Sequence, residues 1–179
     1  MKLKKELLID AIVPEQVYVS FFKDEQVLAS IDFLRLSEQA ADELIEESTG
    51  YSIFLKQFYF ETSPKEKITL PRAPLIEVVK VEAVDAEGNT ETIQDFKVED
   101  GEPAAVLIEN AKQAEKIRVI FKAGYQSWAE VPAFFKQVLL KATSYFFLIR
   151  EPFSDEKLYE LADLKELLSF KKLFYCEDD

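Results

Sequence analysis

The segment "VPAFFKQVLLKATSYFFLIREP", Val131 to Pro152, constrains the fold more than any other stretch of the chain. Phe135, Val138, Leu139, Ala142, Tyr145, Phe146 and Ile149 recur at three- and four-residue steps, Pro132 suits a first helical turn, and Pro152 ends the pattern. A helical face this wide needs a partner surface. Burying each of its large side chains contributes about 1.5–3 kcal/mol before conformational entropy is subtracted.

Two other segments offer that surface. From Lys23 to Thr49 the residues Val27, Leu28, Ile31, Leu34, Ala41, Leu44 and Ile45 keep the same period, and the acids of "SEQAADELIEES" fall on the other face. Asp24 is the predicted cap and Gly50 the residue that ends this helix. Ser154 to Tyr175 carries Leu158, Leu161, Leu164, Leu167, Leu168 and Phe170 behind a capped start at Ser154-Asp155-Glu156. A shorter helix is expected in "VPEQVYVSFF", Val13 to Phe22, where Val17, Val19 and Phe21 also suit a strand.

After Gly50 the period changes to two. "IFLKQFYFET" sets Phe54, Phe58 and Phe60 on one face of a strand, with "EKITL" as a short partner across the Ser63-Pro64 turn. "IEVVKVEAV" reads as strand and "DAEGNT" as a turn into "ETIQDFKVED", with "AAVLIE" and "KIRVIFKAGY" as two more strands. The expected fold is therefore α+β: N-terminal and C-terminal helices packed together with a central antiparallel β module of five to seven strands. Its 179 residues suit a single domain over 1–179, with a helical part at about 13–50 and 131–175 and a β insertion at about 53–123.

Between the β predictions lies "TLPRAPLIEVV", in which Pro71 and Pro74 flank Ala73 and hold Arg72 in a stiff elbow. Arg72 is either a ligand-reading residue or a solvated corner whose salt bridges are worth little. Tyr125 and Trp128, in "AGYQSWAEVP", are the aromatic residues expected in a loop, packed at a strand-to-helix junction or serving as interface anchors.

The inventory of reactive groups is short. There is no histidine, and the single cysteine, Cys176, stands near the end of the sequence, so Ser-His-Asp and Cys-His catalysis and His-rich zinc sites are excluded. The isolated glycines fit no phosphate-cradling loop, and Ser127 in "AGYQSW" lacks the partners of a nucleophile. "DAEGNTE" lacks the spacing of a calcium loop, and Asp95, Glu99, Asp100 and Glu102 read as solvated strand ends. No cofactor and no metal is expected. Acidic residues outnumber basic ones 34 to 22, for a formal charge of −12, which argues against a protein that grips phosphates. Glu6 and Asp10 interrupt the start "MKLKKELLIDAIV", making it a poor signal peptide, and no apolar run reaches the roughly 18 residues of a membrane span; a cytosolic protein with no membrane partner is expected.

The order of these pieces resembles a known family. "ESTGYSI" closing a helix, "LKQFYFE", "ITLPRAPLIEVVKVEAVDAEGNTETI", "DFKVEDGEPAAVLI", "IRVIFKAGY" and the Val131-Pro132 helix ending in Arg150-Glu151 follow one another, from about Leu28 to Pro152, as in the head-tail connector (adaptor, head-completion) proteins of long-tailed bacteriophages, prophages and gene transfer agents. Tyr51 departs from that pattern, where a basic residue is common, as do Tyr145 and Phe147.

The resemblance implies a structural virion assembly protein and no enzyme: a monomer when isolated that forms a portal-matched, dodecameric ring under the portal. Its partners would be the portal protein and a stopper or tail-completion protein. Its place would be the host cytoplasm during assembly and then the head-tail junction. DNA would pass through such a ring without specific binding. Arg72, Tyr125, Trp128, Phe170 and Phe174 are the interface candidates. Two other readings compete: a small β module binding a carbohydrate or other ligand on exposed aromatic rings, and a hydrolase built on converging carboxylates.

Overall fold

The computed structural model describes residues 1–9, 11–109, 114–148 and 155–172. The fold is α+β, and the chain divides into two compact units. Met1–Leu8 and Leu55–Gly124 make a β unit; Ile9–Phe54 and Tyr125–Lys172 make a helical unit.

In the helical unit, α1 (Glu15–Phe22) follows Pro14 and ends at Lys23, whose φ of 55° turns the chain out of the helix. The helix anticipated from Lys23 onward begins instead as a 3-10 segment, Glu25–Ser30, because Ser30 (φ −119°, ψ 40°) interrupts α geometry. Asp24 caps that segment by accepting the Gln26 N–H at 2.8 Å. The α-helix proper, α2, spans Ile31–Thr49 and ends at Gly50, whose φ of 83° an L side chain rarely adopts. Helix α3 is Ala133–Leu148; Pro132 lies just before it, its carbonyl accepting the Lys136 N–H at 3.0 Å. Helix α4 is Asp155–Ser169. Helix α2 packs against both α3 and α4. Leu34, Ala41 and Ile45 meet Phe135, Val138, Leu139, Ala142, Leu164 and Leu168 in one core, so the wide apolar face of α3 is covered. Ile149, Pro152, Ser154, Tyr175 and Cys176 lie outside the described residues.

The acids of α2 are not all on its solvent side. Glu38, Asp42 and Glu46, one turn apart, are buried. Glu38 accepts the N–H groups of Ile12 and Val13 at 3.0 and 2.9 Å and pairs with Arg35 at 2.7 Å. Asp42 accepts those of Ile53 and Phe54 at 2.8 and 3.2 Å. The apolar period located the helix but not the backbone donors that α2 has to satisfy. Tyr18, buried against Glu38, has its hydroxyl proton held well above the ordinary phenol range, by burial first and by that carboxylate second.

The β unit holds two sheets around one core. Strands β1 (Lys2–Leu7), β2 (Lys56–Thr62), β4 (Leu75–Val84), β5 (Thr90–Ile93) and β8 (Lys116–Ala123) form a five-stranded antiparallel sheet in the order β1-β2-β8-β4-β5. Strands β3 (Lys67–Thr69), β6 (Phe96–Glu99) and β7 (Ala105–Ile108) form a three-stranded sheet in the order β3-β7-β6. "EKITL" therefore pairs with β7 rather than β2, and "ETIQDFKVED" splits between the sheets. Phe58 and Phe60 alternate inward as expected, with the Phe58 ring stacked on Phe121 at 5.3 Å. Phe54 does not join them; it lies in the helical core, where Asp42 holds its N–H. The "DAEGNT" hairpin turn is built by Asp85, which accepts the N–H groups of Glu87 and Asn89, with Gly88 at φ 86°.

Register lines residues up across all five strands. Leu3, Phe60, Val119, Val81 and Ile93 form one row into the core. On the other face the next row is Lys2, Glu61, Arg118, Glu82 and Thr92, alternating in sign until Thr92. Arg118 reaches Glu61 at 2.6 Å and Glu82 at 3.2 Å, while Lys80 reaches Glu82 at 2.6 Å. The hydrogen bonds from Arg118 hold the Glu61 carboxyl below its ordinary 4.5, and those from Lys80 and then Arg118 do the same for Glu82.

Two outcomes follow from these contacts. Asp42→Ala leaves two buried N–H groups without their acceptor and should lower unfolding free energy by about 2–4 kcal/mol in urea titration, with Asp42→Asn, which keeps one oxygen acceptor, losing less than half as much. Because the folded carboxyls of Glu61 and Glu82 titrate below their unfolded value, their contribution is complete above 4.5 and drains as pH falls through the folded values. Thermal unfolding followed by circular dichroism should show a melting temperature flat between about pH 5 and 7 and falling below that, with a shallower acid limb in Arg118→Met.

Candidate assembly interface

Each candidate contact residue takes its position from its unit. Arg72 belongs to the β unit, in an elbow that is more interior than its two prolines suggested. Leu70, Pro71 and Ala73 are buried, Leu70 donates its N–H to Ala104 O at 2.8 Å, and the Ala73-Pro74 peptide is cis. Between them Arg72 is half-buried and folds back so that Nη1 donates to its neighbour's carbonyl, Pro71 O, at 2.8 Å. The elbow is a packed corner in which Arg72 and Pro74 are half-buried beside buried Leu70, Pro71 and Ala73.

Tyr125, Trp128 and Phe170 belong to the helical unit. Tyr125 donates its N–H to Ile53 O at 3.2 Å, and both it and Trp128 pack half-buried against the helical core. Lys136 Nζ sits 5.3 Å from the centre of the Trp128 ring, a cation–π arrangement that fixes the indole over the first turn of α3. Phe170 differs. It follows the end of α4 and is 79% exposed, the largest exposure of any phenylalanine in the described residues. Phe174 lies outside the described residues.

An aromatic band that sequence reading did not single out runs over α1, α2 and α3. Phe21 meets Phe22 at 5.3 Å, Phe22 meets Phe147 at 5.6 Å, and Phe147 meets Phe33 at 5.6 Å. Phe21, Phe33, Leu36 and Leu148 are exposed. The signal available in sequence was the surplus of apolar residues beyond one helical face at Phe21-Phe22 and Phe146-Phe147-Leu148.

The residues on which the competing readings depend are placed as follows. Phe58 and Phe60 are interior to the β unit and Phe54 to the helical unit, so none forms an aromatic platform. Asp95, Glu99, Asp100 and Glu102 are exposed, and Glu99 is paired with Lys67. Among the described residues no group of three or more His, Cys, Asp or Glu is placed to share a cation, and no helix is long and apolar enough to cross a membrane.

No protein-family model matches the sequence, and no curated protein does. Solved structures do match. A chain described as the neck of an empty gene transfer agent particle, computed with C6 symmetry, superposes with a TM-score of 0.73 at 19% identity, covering 100% of this chain and 99% of that one. A chain from the virion of a native gene transfer agent particle gives 0.73 at 16% identity, covering 98% of each. A third, from the neck of a native particle computed with C12 symmetry, gives 0.68 at 19% identity over 100% and 99%. Coverage in both directions means that the whole α+β fold is shared, a likeness consistent with the head-tail connector resemblance carried by the order of motifs from Leu28 to Pro152.

Proposed function

We propose that this chain is a structural neck protein of a tailed-phage-like or gene transfer agent particle, acting as the adaptor that forms a ring under the portal and bridges the filled head to the tail. The observation that carries the reading is end-to-end likeness of fold to a neck chain, with a TM-score of 0.73 over 100% of this chain. The C6 and C12 symmetries of those neck structures support a cyclic assembly, and rings require head-to-tail contacts between unlike patches of one subunit. In this reading the protein works by binding alone. One side of the ring meets the portal protein, the other a stopper or tail-completion protein, and the acidic chain lets DNA pass without holding it.

The contact residues proposed are Phe170 and Arg72, with Tyr125 and Trp128 shaping the loop before α3. Phe170 gives the cleanest test, because its ring lies largely in solvent. Particles from a producer lacking this chain should accumulate as filled heads without tails. Adding the purified chain should restore joining, and electron microscopy should find a new ring on the portal's outer end. Phe170→Glu should unfold within about 0.5 kcal/mol of the parent yet lower the yield of joined particles. Normal infectious particles in the absence of the chain would overturn the assignment.

A further inference from the structure

Ring contacts place two apolar surfaces at opposite ends of the helical unit. Phe33, in the first turn of α2, meets Phe147, in the last turn of α3, at 5.6 Å. Tyr51, just past α2, meets Phe135, in the first turn of α3, at 5.0 Å. Helices α2 and α3 are therefore antiparallel. Lys171, just past α4, sits 5.8 Å from the centre of the Phe134 ring, so the end of α4 lies beside the start of α3. From Phe134 to Phe147 a helix rising about 1.5 Å per residue covers about 20 Å.

The end at the start of α2 is acidic. Phe21 and Leu36, the latter one turn after Phe33, are 40% and 61% exposed. Asp24, Glu25 and Asp32 are exposed in the same stretch, and Lys23 is the one exposed cation in 21–36. Arg35 is half-buried and committed to Glu38 and to Val13 O.

The opposite end is basic. Phe170, 79% exposed, and Leu167, one turn before it, stand at the end of α4, with Phe134 and Trp128 half-buried around the start of α3. Lys136 lies over the Trp128 ring and Lys171 over that of Phe134, and Lys172 is exposed beside them. The acids of 126–136 and 166–172 are two: Glu130, which accepts the Gln126 N–H at 3.0 Å, and Glu166. In a chain of formal charge −12 this is a local reversal of sign.

Two acidic ends repel, and so do two basic ones, whereas unlike ends bring apolar centre to apolar centre and lysine to carboxylate. Because they stand at opposite ends of one helix, a single copy can offer one to each neighbour, as a head-to-tail ring requires.

We infer that the acidic end of one helical unit, at Phe21 and Leu36, receives the basic end of the next copy, at Phe170, so that the ring grows in one direction; this rests on the ring-forming reading above. The occupant of each end is thus a second copy of this chain. Phe170 and Leu36 supply the burial, while Lys171 and Lys172 against Glu25 and Asp32 select partner and orientation. Attraction between these exposed charges makes the contact weaken with salt.

Charge reversal on the purified full chain tests it. Lys171→Glu with Lys172→Glu makes both ends acidic; Glu25→Lys with Asp32→Lys makes both basic while leaving the Asp24 cap in place. Each variant should keep the parent's circular dichroism and cooperative melting, and each alone should self-associate about tenfold more weakly by sedimentation and native mass spectrometry. An equimolar mixture should recover assemblies in which the two alternate, and a chain carrying all four changes should assemble like the parent. Folded variants that each assemble as the parent does, or a mixture that stays dissociated, overturn the end-to-end contact. Cross-linking gives a second readout that leaves the charges alone. Leu36→Cys chains mixed with Leu167→Cys chains, both also carrying Cys176→Ser, should form disulfide-linked heterodimers in completed particles, and neither should form homodimers by itself. Particles that join heads to tails without that disulfide remove the contact and leave the neck assignment standing. A parent chain that neither self-associates nor completes particles overturns both.

Discussion

Asp42 and Glu38 hold the connections of the helical unit in place. A helix buries its carboxylates only when something repays their lost hydration, and here the repayment is specific: four backbone N–H groups, at Ile12, Val13, Ile53 and Phe54, find their acceptors on one face of α2. Those donors lie just after Leu8 and just before Leu55, the residues at which the chain passes between the two compact units. Irregular segments cannot be buried without such partners. With them, α2 offers α3 and α4 an apolar stripe and the connecting segments an acidic one, so a single helix organises both kinds of packing.

That double duty explains what the sequence made legible. Leu34, Ala41 and Ile45 announce α2 through their spacing, and Phe135, Val138, Leu139 and Ala142 announce α3, because apolar period is a local signal. Gly50, Asp24 and the Asp85 turn were legible for the same reason: each acts within four residues of itself. What stayed hidden was long-range. The acids at 38, 42 and 46 look solvated until Ile12 and Ile53 are known to arrive beside them. The N-terminal "KLKKEL" shows little of a strand until Gln57 to Glu61 pair with it, and "EKITL" gives no sign that its partner is β7 rather than the neighbouring β2. The contact candidates show the same limit. Phe170, expected in the apolar stripe of the last helix, lies past the last turn of α4 and is exposed, and the burial of the proline elbow around Arg72 depends on Ala104, more than thirty residues away.

The β unit uses opposite chemistry on its two faces to reach one register. Leu3, Phe60, Val119, Val81 and Ile93 fix it from within, and Lys2, Glu61, Arg118 and Glu82 fix it from without. A slip by one residue would carry the phenylalanines of β2 into water and Glu61 into the core, so both faces oppose the same error. The outer ion pairs are half-buried and add modest stability individually. Their larger effect is to tie the central strand β8 to β2 on one side and to β4 on the other.

The helical unit is discontinuous along the chain, and that has a consequence for synthesis. Its first part ends at Phe54 and its second begins at Tyr125, with the β unit's Leu55–Gly124 in between. A ribosome adding about 5–20 residues per second releases α2 several seconds before α3 can cover Leu34, Ala41 and Ile45. Over that interval the apolar stripe of α2 is without the α3 and α4 side chains that cover it in the folded unit. Meanwhile the strands of the β unit are all synthesised before α3 and α4, so the helical core closes on the arrival of these two helices rather than on the threading of a sheet.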